Sequence, residues 1–491
     1  MTERAAGQHA SETDSLLGGQ RDVEAKQNEK LSLKAETIIM LQYSGPLVLT
    51  HLLQYVFSLI IILVASQLST DELAGVSLGS TTANILGYAV FEGMATALDT
   101  LCSQAFGASA FTDVGMHTIR FTIFIHLVAI PIGLLWFFSE ELLLLVNVPS
   151  LAVAQNAGVF LRCSLIGIPG YASFEAGKRF MQAQGNFTAG FYVLLLCLPI
   201  SAGLTWILVY TANMRVAGAA LAASLTNLLR PLLLAAYARF IDRSTLQCWP
   251  SAKELKASWT KEWKPMISLA ISGVLMSLCE WLCYEILTFC TTYVGAASLA
   301  AQTFLGTSAV LVWHIAFSAS VACSTRIGQL IGAGRSNAIA ELMKWYGYAF
   351  IIIGLIDAAL GVGITVLMLE TLVHDEEVAE LLKLNLPYLA MFVFFEATSN
   401  WPHGIVRGIG WQSIGAWVTL TINYLYAVPL SIFLELYGPH LGIRGLWIGL
   451  GSGLGIITVV ETVVVWLRLR KNDDLAACLS TETVADIDGE Q

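Results

Sequence analysis

Long apolar runs separated by short polar breaks fill most of this chain. Twelve runs are each long enough for one helical span of a bilayer. They fall near residues 42–68, 73–97, 118–138, 153–175, 187–211, 216–240, 265–293, 298–322, 343–369, 379–401, 413–435 and 443–467. A polar, acidic, aromatic-poor stretch over 1–34 reads as a disordered cytosolic tail, and 471–491 as a second, acidic one. The first stretch lacks a basic segment followed by a short apolar core, so no cleaved signal is expected. The pattern predicts an all-α polytopic membrane protein. The long link 241–264 divides it into an N-lobe, residues 35–240, and a C-lobe, residues 265–470.

The two halves resemble each other. The segment opening at Leu73 ends in Gln104-Ala-Phe-Gly107, and the one opening at Leu299 ends in Gln329-Leu-Ile-Gly332. A stretch ending at Gly185 matches one ending at Gly410, and the run around Gly218 corresponds to that around Gly445, an offset of about 225 residues. Six spans per repeat give both halves the same topology. The lobes are then parallel repeats about an axis along the membrane normal, the build of transporters that bind between lobes and rock.

Charge alternates between the connections. Acids gather in the first, third and ninth: Asp71-Glu72, Glu140-Glu141 and Asp375-Glu376-Glu377. Bases gather in the even ones: Arg120, Lys178-Arg179, Arg239 to Lys264, Arg326, Arg335, Lys344 and Arg407. Arg215, Lys383 and Arg444 are exceptions. The positive-inside rule places both termini in the cytosol. The only N-x-[ST] sequon, Asn186-Phe-Thr188, then faces the cytosol and stays unglycosylated.

Carboxylates inside the spans carry the functional signal. Glu280 and Glu285 lie in SLCEWLCYEILTFC, and Glu396 in LAMFVFFEATSN. A charge at mid-bilayer costs about 2.5–3.5 kcal/mol even on the mild insertion scale, and such groups face bundle interiors or wet cavities and mark ion or proton paths. Glu280 and Glu285 differ by about 140° around a helix. Tyr284, one turn from Glu280, shares its face. Glu280 and Tyr284 are therefore expected to face a C-lobe cavity that Glu396 approaches. Glu285 either lines the cleft or bonds a neighbour.

Composition narrows the class. The 491 residues are 56% hydrophobic and 13% charged, against about 25% charged in soluble domains. No basic stripe suggests nucleic acid, so none is expected as a partner. Of nine cysteines, Cys163, Cys197, Cys279, Cys283, Cys290 and Cys323 fall in apolar runs and read as small core residues rather than metal ligands. No G-x-x-x-x-G-K-[ST] loop occurs, which argues against ATP hydrolysis by this chain. No enzyme activity, cofactor or metal is expected.

CEWLCYEILTF, SLAAQTF, ALDTLCSQAFGA, KRFMQAQG and FEATSNWPHGIVRGIG together resemble the multidrug and toxic compound extrusion (MATE) family in its eukaryotic branch, over roughly 36–470. The resemblance implies two six-helix lobes around a V-shaped cleft, and export of organic cations, other xenobiotics or metabolites in exchange for protons. It carries Glu280 and Glu285 onto the acidic positions of the seventh helix, Glu396 onto that of the tenth and Asn84 onto the asparagine of the second. An acid found in the eighth helix of some animal members is replaced by Thr307. The first-helix acid of many prokaryotic members is missing.

Further residues suit a cleft lining: Gln54, Trp281, Asn400 and Trp401 by cation–π contact and hydrogen bonding, and Glu92 as a second cation site in the N-lobe. Asp99 reads as a helix-end tie, Glu175 as an interfacial partner of Lys178, and His51 and His314 as satisfied bundle residues. Pro46 and Pro265 read as helix-start residues. Expected partners are a cationic or amphipathic small molecule, protons and the lipid bilayer, with the chain working as a monomer. A lipid or lipid-linked precursor flippase is the alternative, and it would call for a strongly cationic cleft. Glu12, Leu16 and Leu17 fit an acidic dileucine sorting signal, pointing to a vacuolar or endosomal membrane, with the plasma membrane as the other site.

Overall fold

The computed structural model describes residues 32–145, 150–258 and 260–471. Twelve helices in it are long and apolar enough to cross a membrane. They are α1 (Leu33–Ala65), α2 (Thr70–Gly107), α3 (Phe111–Phe137), α4 (Leu151–Ala183), α5 (Thr188–Thr211) and α6 (Arg215–Phe240), then α7 (Trp263–Thr291), α8 (Ala296–Gly332), α9 (Ser336–Thr371), α10 (Glu376–Ile409), α11 (Gln412–Tyr437) and α12 (Ile443–Arg470). No strand occurs among the described residues. The proposed sorting residues Glu12, Leu16 and Leu17 lie outside them.

Several helices run past their apolar stretch. α1 starts at Leu33, not near 42, with Ser32 accepting from the Ala35 amide. Pro46 therefore sits inside the helix, and only Pro265 lies in a first turn. α2 continues through Asp99, Thr100, Ser103 and Gln104, all of which hydropathy alone would assign to a loop. Arg120, Lys178-Arg179 and Arg407 are likewise helical and buried, not connecting residues. Protein partners replace water for these groups, so a window that scores only transfer to lipid ends the spans too early.

The first six helices pack around a main core that includes Phe91, Phe121, Phe174 and Leu194 and a smaller one around Ile61, Val76, Phe160 and Val209. Much of the second six packs around Leu305, Leu389, Phe392 and Trp447. Large apolar side chains point outward on α3 (Leu127, Ile130, Leu134) and α9 (Ile352, Leu355), as lipid-facing surface does. The link between the lobes is built rather than loose. The backbone of Cys248 and the ring of Pro250 press on Gly115 of α3. Ser251 and Glu254 cap the short helix Ala252–Ser258, and the hydrogen bonds from Ser251 hold the Glu254 carboxyl below the usual carboxylate range.

The lobes meet where the matched ends of α2 and α8 cross. Gly107 lies against the Gln329 backbone, and Gly332 against that of Gln104. The Gln104 side chain donates to the Gly408 and Ile409 carbonyls at 3.0 and 3.2 Å. Gln329 donates to the Ala183 carbonyl at 3.0 Å. Each contact has its counterpart about 225 residues along, so the repeat seen in sequence is a pseudo-twofold axis in space. This crossing lies on the face that holds the start of α1 and the end of α12. Glu36 reinforces it by gripping the Arg326 guanidinium with both oxygens. Toward the other face the lobes part.

Candidate functional site

Between the lobes lies a cavity of about 650 Å³, within the size range of pockets for drug-sized ligands. It reaches from His403 and Arg407, deep near the crossing, to Ile62, Ser77 and Thr303, near the helix ends of the opposite face. Its C-lobe wall carries Glu280, Trp281 and Glu285 from α7, Thr307 and Trp313 from α8, and Asn400 from α10. Its N-lobe wall carries Gln54, Asn84, Glu92, Asn227 and Arg230. Asn84 opens a π-helical turn, Asn84–Tyr88, within α2, and such turns gather at functional sites.

A second chamber of about 60 Å³ lies inside the C-lobe, bounded by Glu280, Tyr284, Phe392, Glu396 and Asn423 among others. That volume exceeds what one water needs. Glu280 and Trp281 border both spaces, so Glu280 stands between the open cleft and the chamber of Glu396. Oε1 of Glu280 and Oε2 of Glu396 are buried without a hydrogen-bond partner among the described residues. Asp357 of α9, 1% exposed, lies within electrostatic reach of Glu396, and neither of its oxygens has a hydrogen-bond partner among the described residues.

The expected site residues thus fall in several places. Glu280, Tyr284 and Glu396 meet at the chamber, and Glu285 turns to the cleft. Tyr284 receives a hydrogen bond from Gln302 at 3.2 Å. Trp281 packs edge-on against Trp313, which stacks on Phe317 at 4.5 Å. Gln54 lines the cleft and points its amide at Glu175, 3.4 Å away. Trp401 turns away instead. Its indole donates to the Met343 carbonyl at 3.1 Å and its ring covers Gly347 of α9, because a quarter turn of helix separates it from Asn400.

The N-lobe acids are more fully partnered. Glu92 accepts from the Tyr171 hydroxyl at 2.7 Å. Asp99 pairs with Arg179 at 3.1 Å. Glu175 pairs with Lys178 at 2.7 Å. That last pair is buried on both sides rather than interfacial. His51 bonds Ser318 at 2.9 Å across the lobes, and His314 bonds the Val310 carbonyl.

Sequence reasoning missed four groups here. His403 faces Glu461 of α12 at 3.3 Å, both buried. Glu461 sits in an apolar run just as Glu280 does, so the same signal was available. Arg230 is a cation in the sixth apolar run, and Arg407, taken for a connecting residue, lines the cavity and bonds Ser320.

Twelve spanning helices in two pseudo-symmetric lobes around a polar cleft define an integral, multi-pass membrane transporter. The MatE family model matches residues 46–207 and 273–433. The chain belongs to the MATE family of transporters, in its eukaryotic branch. It is 37% identical, over 89% of its length, to an uncharacterized transporter of Saccharomyces cerevisiae, of whose length it spans 62%. It is 29% identical to the DETOXIFICATION 16 protein of Arabidopsis thaliana, over 88% of this chain and 89% of that one. The crystal structure of the eukaryotic MATE transporter AtDTX14 superposes with a TM-score of 0.81 at 26% identity, over 89% of this chain and 98% of that one.

Proposed function

We propose that this transporter is a proton-coupled antiporter that exports organic cations and other amphipathic xenobiotics or metabolites. The observation that carries this reading is the position of Glu280 between the cleft and the Glu396 chamber, with unpartnered oxygens on both acids. Two carboxyls in one low-dielectric space favour holding a proton between them. A cation reaching Glu280 competes for the same negative charge, so cation and proton exclude each other. Alternating access then turns that competition into exchange. Residues 35–240 and 265–470 are the moving lobes in this reading and 241–264 their tether.

Orientation belongs to the same proposal. The face with the crossing carries Arg239, Arg243, Lys253, Lys256, Lys261, Lys264 and Lys344. The opposite face carries Asp71, Glu72, Glu140, Glu141 and Asp375 to Glu377. Both termini are then cytosolic, and the cleft opens to the lumen or exterior. Vacuolar or endosomal residence rests on Glu12, Leu16 and Leu17; residence at the plasma membrane needs the same direction of exchange. A flippase reading would need a cationic wall, and the cleft instead sets Glu280 and Glu285 opposite Glu92 and Arg230.

The test is a pH jump across proteoliposomes loaded with a fluorescent organic cation. Wild type should move the dye against the proton flow. Glu280→Gln and Glu396→Gln should each insert and fold, yet lose the pH-driven component, because glutamine keeps the shape and removes titration. Unaltered pH-driven transport in both variants would refute the assignment. Glu285→Gln should keep more activity, since its side chain lies outside the Glu396 chamber.

A further inference from the structure

Arg230 is the strongest unexplained group in the cavity. It sits midway along α6, is 5% exposed and lines the cleft. Its guanidinium carbon lies over the Phe57 ring, 4.5 Å from the centroid, and 6.0 Å from the centroid of Phe174. A cation–π contact uses none of the five N–H donors along the guanidinium edge, which can bind a bidentate acceptor. No hydrogen bond among the described residues takes that edge. Nε is buried with no partner, and no carboxylate among the described residues pairs with the group.

The nearby acids are engaged elsewhere: Asp99 with Arg179, Glu175 with Lys178, Glu92 with the Tyr171 hydroxyl. Arg407, the other cavity arginine, differs, since it spends its donors on Ser320 and the His403 carbonyl. Asn227, one turn before Arg230 on the same wall, adds an amide that is only 3.4 Å from the Tyr88 hydroxyl, a long bond easily given up. A buried, unpaired guanidinium is costly unless something completes it.

We propose that Arg230, helped by Asn227, is an anion-binding subsite, and that the cleft takes zwitterionic organic molecules. The carboxylate of such a substrate lies on the Arg230 edge, while its ammonium or delocalised cation faces Glu280 and Glu285 on the other wall. This rests on the exporter reading given above and names the substrate class for it. With Phe57 and Phe174 behind it, the guanidinium can meet a planar carboxylate with two parallel bonds.

The test compares two probes that differ at one group: a xanthene dye with a free benzoate and its methyl ester. Binding is measured at equilibrium without a pH gradient, by fluorescence polarisation, on the full chain in phosphatidylcholine nanodiscs. Wild type should bind the free acid more tightly than the ester. Arg230→Met should weaken the acid by about tenfold or more, the scale of losing a charge-assisted bidentate bond, and leave the ester within about twofold. Arg230→Lys keeps the charge without the fork and should fall between; it serves alone if the methionine variant does not fold. Equal loss of both probes, or no preference for the acid in wild type, overturns the subsite. So does loss of the preference on adding phosphatidylglycerol, which would assign the group to a lipid headgroup. Measuring the same dyes in the pH-jump assay separates the two proposals. Intact discrimination in binding without pH-driven flux sinks the antiport reading and leaves the subsite standing.

Discussion

At the scale of single residues, the C-lobe keeps charge where packing alone would exclude it. Asp357 is buried with both oxygens unpartnered, between turns where Gly354 meets Phe394 and Gly361 meets Val312 and Val393. An unsatisfied buried polar group costs about 1–3 kcal/mol. Asp357→Val should therefore stabilise the protein by that order, read as a higher melting temperature in detergent. A lower melting temperature would show that the carboxyl is satisfied by bound water or a proton partner. His403 and Glu461 illustrate the opposite rule, in which removing one member of a buried pair strands the other. Glu280, Glu285 and Glu396 were legible in sequence because a carboxylate in an apolar run has few structural excuses. Glu461 carried that same mark. Trp401 was misplaced because composition cannot tell which side of α10 meets the cleft.

At the scale of elements, the crossing of α2 and α8 closes one face of the protein. Gly107 and Gly332 allow the backbones to touch there, and a Cβ on Gly332 would run into the Gln104 carbonyl. Gly332→Val should wedge the helices apart. The expected result is a shift toward the state open on the terminal face, seen as increased thiol labelling of cysteines placed near Gln104, with transport falling at least severalfold. Unchanged labelling and flux would mean that the crossing does not govern access. The repeat was visible as motifs ending at Gly107 and Gly332. That these motifs touch each other, Gln104 reaching Gly408 and Gln329 reaching Ala183, was not visible. A sequence offset records duplication, and only packing turns it into an interface.

At the scale of the whole molecule, an ion pair spans the lobes on the closed face. Glu36 opens α1 and holds Arg326 of α8 with two bonds. Glu36→Gln should weaken this latch and favour opening on the terminal face, measured as a shortened distance between spin labels on the opposite rim. No change in the distance distribution would leave the Glu36–Arg326 pair a structural tie with no part in gating. Orientation has its own check. Asn186 donates to Asp242 at 2.6 Å and its side chain caps α5 through the Ala189 amide. With both termini cytosolic it should carry no glycan, and a mass shift on glycosidase treatment that vanishes in Asn186→Gln would reverse the orientation.

The sequence by itself determined the membrane class, the number of spans, the duplication and the principal C-lobe acids. These follow from hydropathy and from the cost of charge in a bilayer, both local properties of the chain. Tertiary structure alone decided which polar groups are satisfied. Lys178, Arg179 and Arg407 look like loop residues until their partners arrive from other helices. Arg230 looks ordinary until it is found without an acidic partner among the described residues. Hydrogen bonds and ion pairs between helices depend on distances that no single run of residues contains, so the cleft, with Glu280 and Glu285 facing Glu92 and Arg230, and the closed crossing exist only once the lobes are packed.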